Sequence, residues 1–79
     1  MTATQLNVDI RWDEEALVWI ATSDDVPGLA TEHHSFDALV EKLKVIIPEL
    51  LDANGQALTE GTPIPFHIHT ELDSTAVAV

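Results

Sequence analysis

The chain has 79 residues, with 14 Asp and Glu against three Lys and Arg, a formal net charge of −11 and a hydrophobic fraction of 46%. That length supports one domain and not two. The charge excludes nucleic acid and anionic membrane surfaces as direct partners, because both are recognised by clustered Lys and Arg. The lack of cysteine excludes a disulfide framework and thiol chemistry.

A basic protein partner is instead attracted by such a chain; the simpler reading of the acidity is solubility. The first residues, Met-Thr-Ala-Thr-Gln, lack the basic region and apolar run of a secretory leader, and no run approaches a membrane span. A cytoplasmic location is the expectation. A domain of this size buries only roughly 60–65% of its surface, and small domains often complete their cores by oligomerising.

In chain order, residues 1–4 are small and polar and are expected to fray. Residues 5–12 alternate, with Leu6, Val8, Ile10 and Trp12 on one face and Gln5, Asn7, Asp9 and Arg11 on the other. This is the period of a strand with one wet face. Asp13, Glu14 and Glu15 read as a hairpin loop. In residues 16–22 both faces are largely apolar: Leu17, Trp19 and Ala21 on one, Val18, Ile20 and Thr22 on the other. That pattern fits a central strand covered on both sides. A four-residue loop sets Trp12 opposite Leu17 and a three-residue loop sets it opposite Ala16. A slip of one residue exchanges the faces, so the pattern leaves the register open.

Residues 23–28, Ser-Asp-Asp-Val-Pro-Gly, form a turn: Ser and Asp bond nearby amides, Pro27 fixes φ, and Gly28 supplies the positive φ of a type II turn. A short third strand follows over residues 29–34. Ser35 is an N-cap with Asp37 in the first turn. Phe36, Leu39, Val40, Leu43, Ile46, Ile47, Leu50 and Leu51 then recur at helical spacing. Pro48 lacks the amide that would bond the Lys44 carbonyl, which predicts a kink or a restarted helix. Asn54-Gly55 stops the helix. After a loop over residues 56–63, Ile64, Phe66, Ile68, Thr70 and Leu72 alternate with Pro65, His67, His69 and Glu71, and Pro65 favours an edge strand. Residues 73–79 carry weak signals and are read as a flexible end or an added strand.

The element order β-β-β-α-β predicts an α+β fold. An antiparallel meander is followed by a right-handed crossover to a fourth strand parallel to the first, with strand order 3-2-1-4 and the helix on one face. The other face is then bare, with either Val18 and Ile20 or Leu17 and Trp19 on it, near His67 and His69. An exposed apolar patch of this kind marks an interface. Leu17, Val18, Trp19, Ile20, His67 and His69 are therefore the candidate interface residues, and at least a dimer is expected.

Trp12-Asp13, the run from Ala16 through Ser23, Asp25-Val26-Pro27-Gly28-Leu29, Glu32, and the helix end Ile47-Pro48-Glu49-Leu50-Leu51 with Asn54 together resemble a HicB-like domain. Within that group they resemble a stand-alone bacterial family of unknown function. The likeness covers roughly residues 6–54, and the turn motif Asp25, Pro27, Gly28 and Leu29 is its most specific part. The resemblance implies a partial RNase H-like fold and an antitoxin role, since HicB-type proteins bind and block a small basic RNA-cleaving toxin. Complete members add a C-terminal DNA-binding region, whereas here seven residues follow Leu72. The expected partner is accordingly a protein, or a second copy of the chain, and not an operator.

Other chemistries compete less well. His67, His69 and Glu71 share one strand face and His33 and His34 another strand, which invites a zinc site, but alternating His and Glu also make an ordinary polar face. Asp9 and Glu71 could gather metals as in RNase H-like nucleases, but a fold does not carry its function with it. Asp24 and Asp25 read as turn formers, and Trp12 and Trp19 as core or interface anchors. The sequence therefore predicts a small acidic protein-binding module with no catalytic site, metal or cofactor. The alternative is a homo-oligomeric protein of regulatory or structural role without a toxin partner.

Overall fold

A computed structural model describes residues 5–56 and 61–70, together with positions 76 and 78. The elements are β1 (Leu6–Asp13), β2 (Val18–Thr22), β3 (Ala30–His33), α1 (Phe36–Ala53) and β4 (Phe66–Thr70). They form one mixed sheet of order β3-β2-β1-β4. β1 pairs antiparallel with β2 and parallel with β4, and β2 pairs antiparallel with β3. This is the α+β topology expected from the element order, and β4 is an edge strand that begins one residue after Pro65. Glu71, Leu72 and, of the end of the chain, positions 73–75, 77 and 79, to which the sequence assigned a strand end and a flexible or added strand, lie outside the described residues.

The register differs from both sequence alternatives. Trp12 lies opposite Trp19, and Asp13 opposite Val18. The loop does have four residues, 14–17, but it starts one residue later than expected. Asp13 explains the delay: its carboxylate Oδ1 accepts the N–H groups of Glu15 (3.0 Å) and Ala16 (3.2 Å), and its backbone oxygen accepts the Leu17 N–H at 2.8 Å. Asp13 thereby ends β1 and organises the loop. Ala16 and Leu17 belong to the loop and not to the strand, and Leu17 takes a positive φ of 56°.

That register decides the faces. Val8 and Ile10 of β1 and Ala21 of β2 are buried beneath α1, along with Leu39, Leu43, Ile47 and Leu51 at every fourth helix position. Leu6, Trp19, Phe66 and Ile68 flank this core. Trp19 stands 5.2 Å from Trp12 and makes an edge contact with Phe36 at 5.1 Å, so an aromatic row ties the hairpin to the start of the helix.

α1 is bounded at both ends as its sequence dictates. The extended residue Ser35 accepts the Ala38 N–H with its side chain. At the other end Gly55, at φ 85°, lets its own N–H reach the Asp52 carbonyl while the Gln56 N–H reaches that of Leu51, a Schellman closure. Pro48 neither stops nor restarts the helix: a single α-helix of 18 residues passes through it. Among the described residues, no helix is long and apolar enough to cross a membrane.

Candidate functional site

Antiparallel partners share a face, so the pairing assigns the side of the sheet away from α1. On it stand Asn7, Asp9, Arg11 and Asp13 of β1, Val18, Ile20 and Thr22 of β2, Ala30 and Glu32 of β3, and His67 and His69 of β4. The packed core, Val8, Ile10 and Ala21 with the helix leucines, lies on the opposite side. No described element covers this face.

Of the six candidate interface residues, four share this face, but in two places: Val18 and Ile20 lie on β2 towards the hairpin end, opposite Asp13 and Arg11, and His67 and His69 lie on β4 beside Asn7 and Asp9. The other two do not. Trp19 points to the helix side, as its contact with Phe36 requires. Leu17 sits at the tip of the hairpin with 60% of its surface exposed, where the delayed loop places it. Val18 and Ile20 are only half-buried, so the apolar surplus on this face is two residues of one strand, set among polar side chains. The sequence pattern missed Arg11 and Glu32 as members of the same face. The signal was present in the alternation of β1, but joining Arg11 to Ile20 needs the register that the pattern left open.

The histidines fall into two separate pairs. His67 and His69 lie on β4 with ring centroids 4.4 Å apart, and the His69 Nε2 is 2.9 Å from the Asn7 Oδ1. His33 and His34 stack at the opposite edge of the sheet, and the His33 Nδ1 accepts the Ser35 N–H at 2.9 Å. Three interstrand spacings of about 4.8 Å separate the two edges, so the pairs cannot share one ion within a single chain. Among the described residues, no group of three or more His, Asp or Glu side chains is placed to hold a metal. Asp9 lies in register with His69, and Glu71, its suggested partner in metal chemistry, is outside the described residues.

The turn motif has a structural explanation. The Asp25 Oδ2 accepts both the backbone N–H (2.8 Å) and the side-chain amide (3.1 Å) of Asn7. The Ser23 hydroxyl donates to the Asn7 carbonyl and accepts the N–H groups of Asp25 and Val26. These bonds continue the β1 ladder past Thr22, where β2 leaves it. Leu29 N–H bonds the Val26 carbonyl at 3.1 Å across Pro27 and Gly28, the latter at φ 89°, which is a type II turn. Val26 and Leu29 enter the core, and the Asn54 side chain donates to the Pro27 carbonyl at 3.0 Å. Asp25, Pro27, Gly28 and Leu29 thus lock the sheet to the end of α1.

Comparison with known proteins agrees with this architecture. A solved structure, that of the hypothetical protein TTHA1013 from the extremely thermophilic bacterium Thermus thermophilus, superposes with a TM-score of 0.77 at 44% sequence identity, covering 92% of this chain and all of that one. No functionally curated protein matches the chain. The family model "Domain of unknown function (DUF1902)" matches residues 5–79, and the chain belongs to that family.

Proposed function

We propose that this protein is an acidic protein-binding module of the HicB-like kind, which acts by contact with a small basic protein and not by catalysis. The observation that carries the reading is the distribution of its charge. Exposed carboxylates stand at both ends of the sheet, Glu14 and Glu15 in the hairpin and Asp24 and Asp25 in the turn, and along α1 at Asp37, Glu41, Glu49 and Asp52. Against a net charge of −11, a basic partner gains both in encounter rate and in discrimination from other proteins. The HicB-like resemblance supplies the partner class, a small basic RNA-cleaving toxin.

The direct test is co-expression with a small basic protein encoded beside this one. A stable complex, tighter at low salt, together with relief of any toxicity of the partner, is the expected result. A neighbour that shows no binding at low salt, while the protein recovers only itself, overturns the reading in favour of a homo-oligomer with no toxin.

A further inference from the structure

The open face carries a pattern that the basic-partner reading does not use. Across the middle of the sheet, Arg11 lies in register with Ile20, and Ile20 with Glu32. One lateral row therefore reads cation, aliphatic, anion over β1, β2 and β3. Arg11 and Glu32 are exposed, and Ile20 and its strand neighbour Val18 are half-buried.

We propose that this face pairs with the same face of a second copy, with β2 stacked on β2 and Arg11 of each chain against Glu32 of the other. The inference is independent of the toxin reading, because it concerns a different surface and a different partner. Two features choose this arrangement. First, the two large aliphatic residues of the face, Val18 and Ile20, lie on β2, so stacking β2 on β2 places them at the centre with charges at the rim, as interface anatomy favours. Second, a face-to-face pair has two simple two-fold axes. An axis across the strands leaves the lateral order unchanged and sets Arg11 over Arg11 and Glu32 over Glu32. An axis along the strands reverses the order and sets Arg11 over Glu32 twice, once for each copy, as an isologous contact requires. Opposite charges therefore select the second axis, with the sheets aligned to within about 30°.

With β2 over β2, the strands β3, β2 and β1 of each copy overlap and β4 overhangs, so the facing area is about 14 Å by about 17 Å, below that of a standard specific interface. The dimer is accordingly weak and concentration-dependent. The net charge of −11 per copy also opposes association at low salt, so the pair is best populated at physiological ionic strength, where a Debye length of about 8 Å screens the long-range repulsion and leaves close contacts.

Sedimentation equilibrium of the full chain over a concentration series tests this, with circular dichroism confirming that each variant is folded. The expected result is a monomer–dimer equilibrium. Arg11→Glu alone, or Glu32→Arg alone, sets like charges against each other at both contacts and weakens the dimer about tenfold or more. Mixing the two single variants restores association, because one chain then carries two anions and the other two cations at the facing positions. The double variant Arg11→Glu/Glu32→Arg restores it as well. A wild-type chain that stays monomeric overturns the proposal, as does a dimer indifferent to either single reversal, or single variants that stay apart when mixed.

Discussion

Asp25 holds Asn7 at two points, accepting the backbone N–H at 2.8 Å and the side-chain amide at 3.1 Å with one carboxylate oxygen. The two residues are 18 positions apart, and β2 has already turned away from β1 where they meet. The carboxylate therefore replaces a missing strand. It also orients Asn7, whose Oδ1 faces the His69 Nε2 on the other side, so one asparagine connects the turn, β1 and β4.

Removing this clamp destabilises the domain. Hydrogen bonds to a charged acceptor are worth more than neutral ones, but both groups here are exposed and water can replace part of what is lost. Asp25→Ala is expected to cost about 1–2 kcal/mol, and Asp25→Asn, which keeps an acceptor oxygen, less. Urea unfolding at constant m-value checks both. An Asp25→Ala chain as stable as wild type would show that water replaces the two bonds to Asn7 without loss.

Gly28 is required for its backbone and not for space. A Cβ built there meets the Leu50 Cδ2 at 3.6 Å, an ordinary contact, yet φ is +89°. Gly28→Ala should therefore cost about 1–2 kcal/mol, the penalty for a side chain in the left-handed region. Gly28→Asn should cost less, since Asn tolerates that region better. Thermal unfolding of the three chains should rank them Gly, Asn, Ala in descending stability.

These two residues also show what the sequence could reveal. Pro27-Gly28 is a local turn signal, and the type II turn follows from it without knowledge of the fold. The strand order and the cap at Ser35 were legible for similar reasons: alternation, helical spacing and a short polar side chain each act over a few neighbours. The Asp25–Asn7 clamp was not legible, because a carboxylate in a turn looks alike whether it bonds its own amides or a strand 18 residues back. The hairpin register was also hidden. Asp13 could end the strand or begin the loop, and its two side-chain bonds to Glu15 and Ala16 settle that choice. On that one residue depends the placement of Leu17 and Trp19 away from the open face.

Pro48 sits within an uninterrupted helix, where it supplies no N–H to the Lys44 carbonyl and its ring crowds that turn. Pro48→Ala restores the donor. The gain is offset by the lost packing of a half-buried ring and by the freer unfolded chain. The net expectation is a stabilisation of about 1 kcal/mol, read as a higher urea midpoint. A loss of stability of similar size would mean that the burial of the ring, which lines a groove with Thr62 and Ile64, and the stiffer unfolded chain outweigh the missing bond.

Leu17 combines two costs. It is a large apolar side chain with 60% of its surface exposed, and among the described residues it is the one non-glycine with positive φ, at 56°. The loop imposes that φ, because the Leu17 N–H must reach the Asp13 carbonyl at 2.8 Å while the chain re-enters β2 at Val18. Glycine adopts this conformation without strain, and the exposed leucine contributes little burial in exchange. Leu17→Gly should therefore raise stability by about 0.5–1 kcal/mol, the released strain less the added entropy of the unfolded chain. Leu17→Asn should be neutral to mildly stabilising, and Leu17→Val destabilising, since a β-branched residue is least tolerant of this region. Equilibrium unfolding in urea separates the three. If Leu17→Gly instead destabilises, the leucine side chain makes contacts that the exposed hairpin tip does not account for. If it stabilises as expected, the leucine persists at a site where it weakens the fold, and the hairpin tip then becomes the next place to look for a bound partner.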